Sequence, residues 1–135
     1  MQSTPAIGSI LLASTDPARL LDWYERALGV SHDHDGFLRL GEVGVLIDAR
    51  DDVADRTAEP GRVIINVHVA DAKEAAGRLD ELGVNWIAPL EYREGAGAWF
   101  GTVQDPDGNY LQIIELTDAY WAAKQARAEA AAASA

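Results

Sequence analysis

Cysteine is absent from this chain. Its chemistry must therefore come from imidazoles, carboxylates, amides, hydroxyls and aromatic rings. The three histidines are His32, His34 and His68. His32-Asp33-His34-Asp35 sets two imidazoles beside two carboxylates, and in an extended segment His32 and His34 share a side. Such a cluster can ligate a divalent ion if further ligands arrive from elsewhere; a solvated edge strand or loop is the plainer alternative. His68 lies in the segment Arg62 to Ala70, where Val63, Ile65, Val67 and Val69 alternate with Ile64, Asn66 and His68. One face is wholly β-branched and suits packing under a helix. The other offers Asn66 and His68, an amide and an imidazole that can bind a ligand or move a proton. His68 is thus the candidate catalytic group. A hydrogen-bonded or solvated histidine near a strand end is the alternative.

Four tryptophans are many for 135 residues. An indole offers a broad apolar face for stacking and one N–H to orient a ligand. Trp23 falls on an apolar helical stripe and reads as packing, and Trp121 lies in the tail. Trp86 and Trp99 fall in strands and are ligand-binding candidates. Trp99 lies across a hairpin from the Tyr110 to Ile114 segment, where Tyr110 and Gln112 add a hydroxyl and an amide. No nucleophile has an assignable base: Ser9 lacks a histidine partner, and Gly95-Ala96-Gly97 lacks the strand-to-helix setting of a phosphate loop.

These side chains are positioned by a repeated unit. Asp16 to Leu28 ends in Gly29-Val30, and Asp71 to Leu82 ends in Gly83-Val84. Each segment opens on an Asp able to cap a helix and closes on a Gly able to end one. Leu20, Leu21, Tyr24 and Leu28 make an inward face in the first; Ala75, Ala76, Leu79 and Leu82 do so in the second. Ile7 to Ala13 predicts a strand before the first helix. Phe37 to Leu40 and Val45 to Ala49 predict strands after it, and Val30 to Asp35 suggests an edge strand. The second half predicts strands at Arg62 to Ala70, Val84 to Leu90, Trp99 to Val103 and Tyr110 to Leu116. A polar loop spans Glu91 to Gly97, and Asp105-Pro-Asp-Gly-Asn109 is a turn. The expected organisation is a first module over 1–49, a linker over 50–61, a second module over 62–117 and an Ala-rich tail over 118–135. That tail is expected to be helical at its start and to fray beyond Arg127.

Composition bounds the partners. Hydrophobic residues are 48% and charged residues 24%, as in a globular domain, and the formal net charge is −11. That charge argues against a nucleic-acid backbone or an anionic membrane as partner. With no leader-like or membrane-spanning apolar run in the sequence, a cytoplasmic location is expected.

The order strand, Asp-capped helix, Leu28-Gly-Val30, and then strands around Asp105-Pro-Asp-Gly-Asn-Tyr110 and Leu111-Gln-Ile-Ile-Glu115 resembles the vicinal oxygen chelate superfamily, the glyoxalase, bleomycin-resistance and extradiol-dioxygenase group. The resemblance spans about Ile7 to Leu116. It implies an α+β fold of two tandem βαβββ modules, whose curved mixed sheet forms a cup with helices outside. It also implies where metal ligands would stand. Seven residues before the capping Asp come Ser9 and Ile64; four after the turn glycine Gly108 comes Gln112; the place in Val45 to Ala49 offers only Asp48. Ile64 cannot ligate, and Gln112 with Asp48 makes a poor donor set.

The resemblance therefore implies a metal-free, cofactor-free small-molecule binding protein, sequestering an aromatic or antibiotic-like ligand with Ser9, Asn66, His68, Trp86, Trp99, Tyr110 and Gln112. The alternative is a lyase or isomerase of the same superfamily with an atypical or absent metal site. A third possibility is an assembly module using exposed aromatics. A homodimer is expected, since open sheet edges invite a second copy.

Overall fold

The computed structural model describes residues 4–134. It contains β1 (Ser9–Ser14), α1 (Pro17–Leu28), β2 (Phe37–Leu40), β3 (Val43–Ala49), β4 (Ile65–His68), α2 (Ala72–Glu81), β5 (Trp86–Arg93), β6 (Ala98–Gln104), β7 (Tyr110–Leu116) and α3 (Asp118–Ser134). The architecture is α+β, with one three-stranded and one four-stranded mixed sheet. The chain divides into two compact units. The first runs to Arg62 and takes in Asp105–Asn109; the second holds Val63–Gln104 and the chain from Tyr110 onward. No helix among the described residues is long and apolar enough to cross a membrane.

In the first unit the strand order is β1-β3-β2. β1 runs parallel to β3, which the intervening helix permits, and β2 pairs antiparallel to β3 through a tight turn. Asp16 starts α1 by accepting the Arg19 N–H at 3.3 Å, and Pro17 takes the first helical turn, where no N–H is needed. Gly29 closes the helix at φ 65°, a left-handed conformation that favours glycine. Leu20, Tyr24 and Ala27 are buried, as are Leu38, Val45 and Ile47 of the sheet. Fully burying such aliphatic side chains is worth about 2 kcal/mol each.

The edge strand suggested at Val30 to Asp35 does not form, so this unit carries two strands after its helix rather than three. The reason is Asp33. Its Oδ1 accepts the Asp35 and Phe37 N–H groups at 3.0 and 2.9 Å, drawing the backbone into a turn instead of a ladder.

The first unit also holds the tip Asp105–Asn109. Asp105 is only 3% exposed. Its carboxylate accepts the Tyr24 hydroxyl at 2.6 Å, the Asp107 and Asn109 N–H groups at 2.9 and 3.0 Å, and the Asn109 Nδ2 at 2.9 Å. Burial raises the Asp105 carboxyl above its ordinary value of 3.8 and outweighs these bonds, which pull it down. Burial, then the neighbouring Asp105 charge, pushes the Tyr24 hydroxyl well above its usual range. A segment that reads as a simple turn is therefore built around one buried acid.

In the second unit the order is β4-β7-β6-β5, with β4 parallel to β7 and the other pairs antiparallel. Asp71 caps α2 by accepting the Glu74 N–H at 3.1 Å, and Glu115 of β7 reaches the same helix end, accepting the Ala72 N–H at 2.8 Å. Ala72, Leu79, Val103, Leu111 and Ile113 form the core. β4 is shorter than the apolar run Arg62 to Ala70 predicts. β5 is longer: it continues to Arg93, leaving only Glu94 to Gly97 as turn. Cross-strand partners Tyr92–Trp99 and Glu91–Phe100 hold that extension. The helix α3 also runs past Arg127 to Ser134, without burying any residue. High alanine propensity carries it there rather than packing.

Candidate functional site

The four-stranded sheet has two unlike faces. On the helix side, Trp86 Nε1 donates to Asp80 of α2 at 2.7 Å, and Lys73 of α2 places Nζ 4.9 Å from the Trp99 ring centroid. Gly101 lies between them on this side: a Cβ there would come within 2.9 Å of the Trp86 ring. Its missing side chain is what admits the indole. Trp86 and Trp99 thus pack against α2 and are not with the other candidate ligand-binding residues. Tyr92 joins Trp99 at 5.4 Å between centroids.

On the distal face, turned away from α2, four candidates do come together. Asn66 of β4 pairs in register with Gln112 of β7, and Gln112 pairs with Thr102 of β6. Gln112 Nε2 donates to Thr102 Oγ1 at 3.4 Å. These three side chains form a polar row about 10 Å long, since neighbouring strands lie about 4.8 Å apart. The next row in register is His68, Ile114, Phe100 and Glu91. Ile114 is buried and Phe100 half-buried, so an apolar floor lies beside the polar row. Tyr110, two residues before Gln112 and opposite Gln104, extends the same face.

Phe100, Thr102, Glu91 and Arg93 also belong to this face and were not among the predicted ligand-binding residues. Strand parity is the signal that finds the first two: once Trp99 and Gly101 face the helix, Phe100 and Thr102 must face away. Arg93 lays its guanidinium 4.4 Å from the Phe100 centroid and donates from Nε to Glu91 at 3.1 Å.

The first sheet supplies no partner set for a metal. Ser9 pairs with Gly44, while Asp48 pairs with Ala13, four residues along β1. That separation is about 13 Å along a strand, far beyond the 2.0–2.5 Å or so at which oxygen ligands hold a divalent ion. Asp48 accepts its neighbour's N–H, from Ala49, at 2.9 Å. In the second unit Ile64 has no donor atom to offer, and the Gln112 amide bonds Thr102. His32 and His34 do not converge: His32 engages Glu25 through its N–H and Nδ1, at 2.9 and 3.0 Å, and His34 Nε2 lies 3.4 Å from Asp35. Those contacts, with the N–H bond from His32 contributing most, hold the Glu25 carboxyl below its usual range. Among the described residues no three His, Asp or Glu side chains group so as to hold a metal ion. The residues at the family's ligand positions do not fit one.

Comparison with known proteins agrees with the architecture. The sequence model of the Glyoxalase/Bleomycin resistance protein/Dioxygenase superfamily matches residues 6–113. Among solved structures, TioX from Micromonospora sp. ML1 is 22% identical, with a TM-score of 0.64 over 84% of this chain and 100% of that one. A glyoxalase family protein from Bacillus anthracis is 14% identical, with a TM-score of 0.65 over 87% and 99%. A glyoxalase/bleomycin resistance protein/dioxygenase from Nocardioides is 18% identical, with a TM-score of 0.62 over 87% of each chain. At these identities the structural likeness speaks for the fold alone. No curated protein matches. The match over 6–113 covers most of the chain and follows the same strand–helix–strand order in both halves, so this chain belongs to the glyoxalase/bleomycin resistance protein/dioxygenase superfamily.

Proposed function

We propose that this protein is a small-molecule binding protein, and that the distal face of the second sheet receives a planar, largely apolar ligand carrying hydrogen-bonding groups. The observation that carries this reading is the registered row Asn66–Gln112–Thr102 beside the Ile114–Phe100 floor. Amides and a hydroxyl both donate and accept, so they can orient a ligand that the apolar floor holds. The donor set at the family's ligand positions suits no divalent ion, which favours binding without metal over metal-assisted isomerisation. His68, at the edge of the floor, is the residue available to exchange a proton with a bound molecule. A cytoplasmic homodimer that sequesters its ligand is the setting proposed for this activity.

Isothermal titration with 2-naphthamide, a neutral planar amide, tests the reading. Saturable binding is expected, weakened about tenfold by Gln112→Leu, as for loss of one or two buried hydrogen bonds. Equal affinity of wild type and variant, or no binding of either this amide or its carboxylate analogue, would contradict it.

A further inference from the structure

We infer that the ligand of this face carries a carboxylate or comparable anionic group, and that Arg93 reads it. The inference rests on the binding face proposed above and names the chemistry of its far end. The row His68–Ile114–Phe100–Glu91 crosses all four strands, about 14 Å, with Arg93 beside its β5 end. Its middle is apolar and its two ends are polar. At the β5 end the Arg93 guanidinium lies over the Phe100 ring, with its carbon 4.4 Å from the centroid. Glu91 bonds only its Nε, at 3.1 Å. The two terminal nitrogens have no hydrogen bond among the described residues, so the outer edge of the fork is free to take two oxygens side by side. The guanidinium is thus held by a ring on one side and a carboxylate at Nε, with its bidentate edge unspent. A flat ligand resting on Ile114 and Phe100 would bring an anionic substituent to that edge.

The chain as a whole carries a net charge of −11, which repels an anion at long range. Recognition must therefore be local, and Arg93 is the one cationic side chain that the contacts place against Phe100. Glu91 is the opposing charge at the same place. It fixes the guanidinium and also competes with an incoming anion.

The test compares 2-naphthoate, 2-naphthamide and 2-naphthylmethylammonium by isothermal titration on the full chain. Wild type is expected to bind the carboxylate at least about tenfold more tightly than the amide, as for a charge-assisted bidentate pair. Arg93→Gln should erase that preference while leaving amide binding within about twofold, because the amide uses the Asn66–Gln112–Thr102 row. Arg93→Lys should retain part of the preference, since it keeps the charge and loses the fork. Glu91→Gln should tighten the carboxylate and not the amide. Equal binding of carboxylate and amide by wild type, or a preference that survives Arg93→Gln, would overturn the inference while leaving the binding face standing. Preference for the ammonium compound would overturn it in favour of Glu91 as the reader. Failure of all three compounds to bind would remove the binding face and the inference together.

Discussion

The two sheets differ most where they can be compared most closely. Leu11 and Asn66 each lie five residues before the Asp that caps the following helix. Leu11 pairs with Leu46, and Leu46 with Phe37, so the row across the first sheet is entirely apolar. Asn66 pairs with Gln112, and Gln112 with Thr102, so the corresponding row across the second sheet is entirely polar. The scaffold under the two rows is the same. A carboxylate three residues upstream caps each helix, a parallel strand pair flanks it, and a Leu is wholly buried beneath it, Leu20 in one and Leu79 in the other. The lesson is that the repeat specifies backbone and core, while ligand chemistry is set by side chains that face away from the helices and do not support the fold.

The largest effects should fall equally on the two halves. Leu20→Ala and Leu79→Ala each remove a side chain with no exposed surface and should each cost about 2–5 kcal/mol in urea unfolding. A cost confined to one of them would break the equivalence of the two cores.

Next comes a feature that only one unit has. Tyr24→Phe removes a hydroxyl bonded to the buried Asp105 carboxylate and should cost about 2 kcal/mol. The pH dependence at this place has a definite sign. The folded state raises the Asp105 carboxyl above 3.8, so it binds a proton more tightly than the unfolded chain does. Its contribution to stability is therefore greatest below pH 3.8, falls as pH rises through the raised folded value, and is level above it. The stability of wild type relative to Asp105→Asn, measured across that window, should decline with rising pH. A difference that grows with pH would mean that the hydrogen bonds, not burial, dominate the acid.

Exchanging the rows should move function without moving stability. Asn66→Leu with Gln112→Leu copies the first sheet's chemistry onto the second and should weaken 2-naphthamide by more than about tenfold with little change in melting temperature. The smallest effects return to symmetry. Asp16→Ala and Asp71→Ala should each cost about 1 kcal/mol, the usual worth of a helix cap.

The helices were the most legible part of the sequence, because capping residues and a helical apolar stripe are local signals: α1 is bounded by Asp16 and Gly29 as its spacing predicts. The strand suggested at Val30 to Asp35 was lost to a single side chain, Asp33, whose hydrogen bonds to the backbone no hydropathy pattern displays. The site was half legible. Asn66, His68, Tyr110 and Gln112 share a face because β4 and β7 are regular, and alternation holds along them. Trp86 and Trp99 were placed with them by composition alone. The pairing of β5 with β6 shifts between Trp86 and Ala88 and again between Ala88 and Glu91, so Trp86 and Ala88 face opposite ways despite being two residues apart. Such irregularities are set by the partner strand and by the space over Gly101, neither of which the linear sequence shows.

The account's central claim is that the distal face of the second sheet is the binding surface and the equivalent face of the first is not. Backbone amide chemical-shift mapping during titration with 2-naphthoate tests it most directly. The predicted result is saturable shifts centred on Asn66, Arg93, Phe100, Thr102, Gln112 and Ile114. Shifts centred instead on Leu11, Phe37 and Leu46, or on Trp86 and Trp99 beneath α2, would contradict it.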